Sequence, residues 1–374
     1  MQGGVGDFTR QISLALQDLD CHVNVVTQWR NADDRASASS PDDEIRRVVS
    51  PAWSWRDIWR VHQETIDMDL VNVQYQAAAY GTMRMPIHFL SKFLATPTVV
   101  TFHDLREPYL FPKAGLLRPR ALLGLAQSAH GVIVTNSEDY QKLSGSGKIK
   151  YLAKIPIGSN IECGVPSDFD PALWRVCHGV SEEEFLIGYF GFVNASKGVE
   201  SLIRAFAELV KEGIPVRLVM IGGQSGSSDA TNVEHYKRIV ELEHSLGFDR
   251  PIIRTGFVPP AEISAALLSC QVMVMPYRDG ASLRRGTLMA CMNHGCPTIT
   301  TAPSTPSSYL KHGANSYFVP TDSATKLAEA VKVLRNDVNQ RVAIGKGART
   351  LSDMFTWDKI ASQTLEFFEQ AIAT

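Results

Sequence analysis

Short β-branched, apolar runs alternate with segments of helical period along almost the whole chain. In the first half the runs are HVNVVTQ (22–28), DLVNVQY (69–75), TPTVVTFHD (96–104), HGVIVTN (130–136) and IKYLAKIPI (149–157). In the second half they are FLIGYFG (185–191), VRLVMIGG (216–223), PIIRTGF (251–257), QVMVMPY (271–277) and CPTITT (296–301). Runs hydrophobic on both faces, separated by amphipathic helices, predict parallel sheets built from βαβ units. Two such sets predict an α/β protein of two Rossmann-like domains. Between them lies a Pro-, Gly- and Asp-rich stretch without clean period, near residues 160–183, which reads as the linker. The stretch 31–44, NADDRASASSPDDE, reads as a surface loop. The closing segment TWDKIASQTLEFFEQAIAT places Trp357, Ile360, Leu365, Phe368 and Ile372 at roughly helical spacing, predicting an amphipathic terminal helix.

Composition narrows this picture only a little. The chain has 374 residues, 44% hydrophobic and 20% charged, with a net charge of −2. Nothing in that balance marks a nucleic-acid footprint, so a charged ligand must be met by a local cluster. The six cysteines, Cys21, Cys163, Cys177, Cys270, Cys291 and Cys296, are scattered without metal-ligand spacing. They read as reduced thiols of a cytoplasmic protein. No apolar run approaches the ~18 residues needed to span a bilayer.

The candidate chemistry sits where strands end, because open parallel sheets bind ligands beyond their carboxyl ends. GGVGDFTRQISLAL (3–16) is a glycine-rich turn running into a helix. Such a turn normally follows a buried strand. Either it is a flexible terminal turn, or the first strand of the domain lies upstream of residue 1. In YFGFVNASKGVESLIRAF the strand ends at Gly191, and Lys197 precedes a helix start, where a point charge joins free N–H groups and suits a phosphate. A solvated lysine is the plain alternative. PYRDGASLRRGTL holds Asp279, Gly280, Ser282, Arg284, Arg285, Gly286 and Thr287, combining small residues with two cations at a helix start. In TGFVPPAEI the backbone of Gly256, Phe257 and Val258 can meet a base edge, or can form an ordinary βα turn. His103 ends the strand TVVTFHD, in position for a second substrate or for a structural role. The pair Asp67 and Asp69 precedes a strand, at the end away from such a cleft, and reads as a solvated turn; no metal is expected. LREPYLFPKAGLLRPRALLGLAQ (105–127) interleaves basic and apolar residues and suggests peripheral contact with an anionic membrane, or core packing with solvated arginines.

In their order, GGVGDFTRQISLAL, NVQY, TVVTFHD, IPIGSNI, FGFVNASKGVESLIRAF, GFVPPAEISAAL and PYRDGASLRRGTLMACMNHGCPTITT resemble the retaining glycosyltransferases of family 4, with the GT-B fold. The resemblance implies two Rossmann-like domains facing across a cleft. An acceptor domain would cover 1–165 and a nucleotide-sugar domain 180–355, with helix 356–374 packing back towards the first. The strand ahead of Gly3 would be missing from the first domain. It further implies transfer of a sugar from a nucleotide-diphosphate donor to a glycan or lipid-linked acceptor, with retention and without a metal. Gly3 and Gly4 would lie near the donor diphosphate, with Lys197, Arg284 and Arg285 on it. Ser282 and the N–H groups near Gly286 would meet the sugar, Asp279 a sugar hydroxyl, and His103 the sugar or acceptor. Three positions depart from the family: Ser282 and Ala290 stand where paired glutamates are usual, and Phe192 where an arginine is common. A second reading is therefore an inactive sugar-nucleotide-binding or scaffolding protein of the same fold.

Overall fold

The structure is a computed structural model that describes residues 4–29, 45–50, 53–76, 80, 85–105, 117–223 and 230–373. Twelve strands are present among these residues: β1 (Val25–Gln28), β2 (Ile45–Val49), β3 (Val71–Gln76), β4 (Thr98–Asp104), β5 (Gly131–Val134), β6 (Leu152–Lys154), β7 (Phe185–Phe190), β8 (Val216–Ile221), β9 (Ile253–Gly256), β10 (Val272–Met275), β11 (Thr298–Thr301) and β12 (Tyr317–Val319). Each of the ten expected runs holds one of them. The expectation missed β2 and β12, which are only five and three residues long. β2 follows the stretch 31–44, which lies outside the described residues, and its IRRVV carries two arginines on a half-buried strand.

The chain divides into two compact units, residues 1–157 with 357–374, and residues 158–356. In the first unit β3, β4, β5 and β6 form one parallel sheet in sequence order, and β1 and β2 form a separate parallel pair. No described strand joins the two. One face of the larger sheet meets a core of Val73, Tyr75, Val100, Phe102, Val132 and Val134 with Ile58, Val61 and Leu125 from flanking helices. The other face carries Asn72, Gln74, Thr101 and His103 on β3 and β4, since side chains alternate along a strand. The closing helix Trp357–Ile372 lies in this unit: a Cβ on Gly131 would stand 2.9 Å from the Phe367 ring, and Trp357 meets Phe8 edge-on at 5.3 Å. Its buried stripe is Ile360, Ala361, Thr364, Phe367 and Ala371. Ile372, expected on that stripe, is exposed, and Phe367 rather than Phe368 is buried. Spacing over five turns left a one-residue rotation open, and packing on Gly131 decides it.

The helix Trp55–Thr65 is started by Asp57, which is fully buried. Its carboxylate accepts from the backbone and hydroxyl of both Ser50 and Ser54 and pairs with Arg60 at 2.7 Å. Burial alone would raise its pKa, but the Ser50 and Ser54 hydrogen bonds outweigh burial and hold it at about 2. Because the folded value lies below the unfolded one, this stabilisation is present above about pH 4 and is lost as pH falls towards 2. Asp57→Ala is expected to lower the melting temperature at pH 7, with wild type and variant converging near pH 2 in a pH series of thermal melts.

The second unit is a six-stranded parallel sheet in the order β12-β11-β10-β7-β8-β9. β7, β8, β10 and β11 are buried at every position, in keeping with their largely apolar or β-branched residues, Arg217 on β8 being the exception. The stretch read as a linker belongs to this unit. Asp170 caps the helix Pro171–Cys177, and Trp174 on it donates from its indole to Glu262 at 2.9 Å. All six cysteines are free, and no described helix is long and apolar enough to cross a membrane.

Candidate functional site

The richest chemistry lies in the second unit, where the loops after β7 and β10 are locked together. β7 ends at Gly191, whose φ of +126° and tight approach to Thr287 favour glycine; a Cβ there would stand 3.1 Å from Thr287 Cγ2. Asn194 caps the turn Ala195–Lys197, and Gly198 then takes a left-handed conformation, with φ of +67°, to start the helix Val199–Lys211. At Gly198 a Cβ would collide with the Pro276 carbonyl oxygen. The Arg278 N–H donates to the Ser196 carbonyl at 3.0 Å. The two loops are thus zipped along their backbones, which fixes Lys197 over the residue that follows β10 and Pro276.

That residue is Tyr277, fully buried, with its hydroxyl 3.0 Å from Thr287 Oγ1. The Lys197 ammonium lies 5.0 Å from the ring centre and the Arg285 guanidinium 4.2 Å from it. An aromatic ring thus gathers two like charges by cation–π attraction. Arg284 and Arg285 both pair with Asp279, Arg284 at 3.2 Å, and both guanidinium side chains are about nine-tenths buried (10% and 11% exposed). The cluster brings Lys197, Arg284 and Arg285 together beside Asp279. Burial, then the nearby charge of Arg285, pulls Lys197 down to about 7, with Asp279 opposing and Arg284 adding to the fall.

The rest of the loop supports this cluster. Gly280, with φ of +83°, threads between the backbones of Ala302 and Ser304, where a Cβ would stand 2.6 Å from Ser304 N. Ser282 organises the turn: its carbonyl accepts from Arg285 N at 3.1 Å and its hydroxyl from Arg284 N at 3.4 Å. Arg285 is the N-cap of the helix Gly286–Asn293 but supplies no side-chain cap. The first-turn N–H groups at Gly286 and Thr287 therefore add their partial positive charge beside the cations. Asp279, expected on a sugar hydroxyl, is held by both arginines. Ala290, at a position where the family pattern has a glutamate, is fully buried.

The other expected residues fall into separate places. Gly256, with φ of +67°, lines a small recess with Gly191, Gly222, Gly223, Tyr236 and Arg254 beyond the ends of β7, β8 and β9. Phe257 is 81% exposed and is not among the lining residues, nor is half-buried Val258. Phe192 is exposed beside the same recess, its ring against Gly223. In the first unit, Gly4 begins the helix Gly4–Gln17, while Gly3 lies outside the described residues. His103 ends β4, its Nε2 2.8 Å from Gln74 Oε1 and its ring 4.7 Å from that of Phe8. Burial pushes His103 down to about 4, so it is a neutral imidazole at pH 7. Residues 106–116 of the basic, apolar stretch also lie outside the described residues. Asp67 and Asp69 sit in the turn before β3, and among the described residues no group of three or more His, Cys, Asp or Glu is arranged to hold a metal ion. The sequence reading overlooked Tyr277, because it closes an apolar run and reads there as strand core. Its signal was the following YRDG, where a polar loop begins directly on an aromatic.

Residues 172–351 match the family Glycosyl transferases group 1. Among curated relatives, a D-inositol 3-phosphate glycosyltransferase of Nocardioides sp. is 26% identical over 57% of this chain and 47% of its own length. One from Paenarthrobacter aurescens is 25% identical over 99% of this chain and 94% of its own. The chain spans about half the length of the first curated relatives it matches, at 47%, 45% and 44%. Among solved structures, Anabaena HepE in complex with UDP and glucose matches with a TM-score of 0.77 and 19% identity, over 98% of this chain and 96% of that one. Sucrose-phosphate synthase from Thermosynechococcus elongatus matches with a TM-score of 0.76 and 18% identity, over 99% and 94%. These likenesses establish the shared fold.

Proposed function

From the match of residues 172–351 to the family Glycosyl transferases group 1, we propose that the chain transfers a hexosyl group from a nucleoside-diphosphate sugar to an acceptor hydroxyl, with retention and without a metal. One observation carries this reading: Lys197, Arg284 and Arg285 stand together beside Asp279, at the first turn of the helix Gly286–Asn293. As the glycosidic bond breaks, its electron pair leaves on the diphosphate, and fixed positive charge there is the largest catalytic contribution a protein can offer. Lys197 and Arg285 are assigned to that diphosphate. Ser282 and the N–H groups at Gly286 are assigned to the sugar, and His103 to the sugar or acceptor as a neutral hydrogen-bonding group. Asp279 tethers both arginines, and its second role, on a sugar hydroxyl, is retained as part of the proposal. HepE structures hold UDP and UDP-glucose, which makes uridine diphosphates the first probes.

The experiment is a thermal-shift panel of nucleoside diphosphates and their sugars, with EDTA present. A ligand that binds only the native state raises the melting temperature by mass action. A rise with a nucleoside diphosphate and none with the monophosphate is expected; no rise with any member would reject the reading. A second reading, a protein that binds the donor without turnover, is favoured by the serine and alanine at positions 282 and 290. It predicts the same shifts with no release of nucleoside diphosphate from any nucleotide sugar.

The depressed pKa of Lys197 gives a further expected outcome. Below about pH 7 the ammonium is charged before binding. Above it, a diphosphate must draw a proton onto Lys197 as it binds, so affinity falls with rising pH up to the pKa reached in the complex. Calorimetric titration at pH 8 in buffers of different ionisation enthalpy should show net proton uptake. At pH 6 that contribution should vanish, and equal uptake at both values would reject it.

A further inference from the structure

On the first unit, the helix Trp55–Thr65 and the short helix Leu90–Phe93 turn large apolar side chains outward. Trp55 is 55% exposed, Trp59 65%, Met85 63% and Phe93 58%. Trp55 and Phe93 meet directly, with Phe89 of the turn Pro86–Phe89, which Met85 precedes: the Trp55 ring lies 5.5 Å from that of Phe89 and 6.3 Å from that of Phe93. Trp59 stands one helical turn from Trp55 on the same face. The inward positions of this helix, Asp57, Ile58 and Val61, already face the core. Its outer stripe, where a solvated helix carries charge, therefore holds two exposed tryptophans.

Two exposed cations stand among the described residues of the group, while Glu64 lies further along the same helix. Arg56 is exposed beside Trp55, and exposed Lys92 places its ammonium 5.7 Å from the Phe89 ring centre. The one carboxylate between Ser54 and His62 is Asp57, buried in its cap, and residues 85–95 contain no Asp or Glu. Side chains exposed by more than half stand clear of the surface rather than line a groove.

We propose that this face docks on an anionic lipid bilayer, with Trp55, Trp59 and Phe93 entering the headgroup boundary and Arg56 and Lys92 meeting lipid phosphates. Tryptophan suits that boundary, with an apolar body and an N–H that stays wet, and cations beside it add attraction to acidic headgroups. The proposal is independent of the donor-site reading, so either can fail alone.

The test is co-sedimentation of the full chain with phosphatidylcholine vesicles, with and without phosphatidylglycerol, at low and raised salt, with tryptophan emission recorded. Binding to the acidic vesicles with a blue shift, weakened by salt, is expected. Trp55→Ser/Phe93→Ser should bind at least about tenfold more weakly. Arg56→Gln/Lys92→Gln, which leaves the aromatic side chains in place, should lose about thirtyfold on acidic vesicles and become indifferent to salt, at about a factor of five per cation. Unchanged melting temperatures establish that the variants fold. No binding by wild type, equal binding to neutral vesicles, or undiminished binding by both variants would overturn the proposal. So would a concentration-dependent dimer that only the aromatic variant dissociates, which would make the face a contact between copies.

Discussion

Arg285→Ala is expected to weaken binding of a nucleoside diphosphate by about ten- to a hundredfold, since a charge-assisted contact to phosphate contributes about 1.5–3 kcal/mol. Arg285 is chosen over its neighbours because its guanidinium is nine-tenths buried, rests on Tyr277 and is tied to Asp279, so it meets a ligand with little ordering left to do. The loss should depend on pH. Arg285 is the nearby charge that most depresses Lys197, so removing it lets Lys197 hold its proton to higher pH. The deficit should therefore be smaller at pH 8, where wild-type Lys197 is mostly neutral, than at pH 6. Arg278 is the internal control. It lies on the same loop but pairs outward, with Asp322 at 2.6 Å and Glu200 at 3.2 Å. Arg278→Ala should leave affinity within about twofold, as befits exposed pairs. Titration calorimetry of the two variants checks both statements; equal losses would remove the special place given to Arg285.

Gly198→Ala should be the most damaging single methyl in the second unit. The residue is left-handed, which costs a non-glycine residue about 1 kcal/mol, and its Cβ would enter the Pro276 carbonyl oxygen, a backbone atom that cannot step aside alone. Relief requires prising the Lys197 turn from the loop that carries Tyr277. We expect more than about 3 kcal/mol of destabilisation together with loss of nucleotide binding. Gly213 separates the two causes. It is also left-handed, with φ of +74°, but nothing lies within 4 Å of its Cβ position. Gly213→Ala should cost only about 1 kcal/mol and leave binding intact. Chemical denaturation of the two variants measures the difference, and similar losses would show that the steric contact with Pro276 has no weight.

The strands and their loops were legible in sequence because a buried parallel strand is mostly apolar or β-branched on both faces, as in β7 and β10. Lys197, Arg284 and Arg285 were legible as cations at helix starts. Their joint platform was not, because Tyr277 acts through its ring face on residues 80 positions before and eight after it, and no local pattern records that meeting. The pairing of Asp279 with both arginines was hidden for a similar reason: spacing places the three residues in one loop without saying which way each turns. The phase of the closing helix escaped by one residue, since Phe367 and Phe368 are equal in composition and only Gly131 distinguishes them. Asp57 looked like any helix-start acid, although its seat between Ser50 and Ser54 makes it one of the most constrained carboxylates in the first unit.

The central claim is that the cluster on Tyr277 receives the donor diphosphate, and a crystal structure of the protein with UDP bound tests it most directly. The account predicts phosphate oxygens within hydrogen-bond distance of the Lys197 ammonium and the Arg285 guanidinium, close to the N–H groups of Gly286 and Thr287. Well-ordered phosphates elsewhere, with Lys197 and Arg285 still turned to Tyr277 and Asp279 alone, would contradict it.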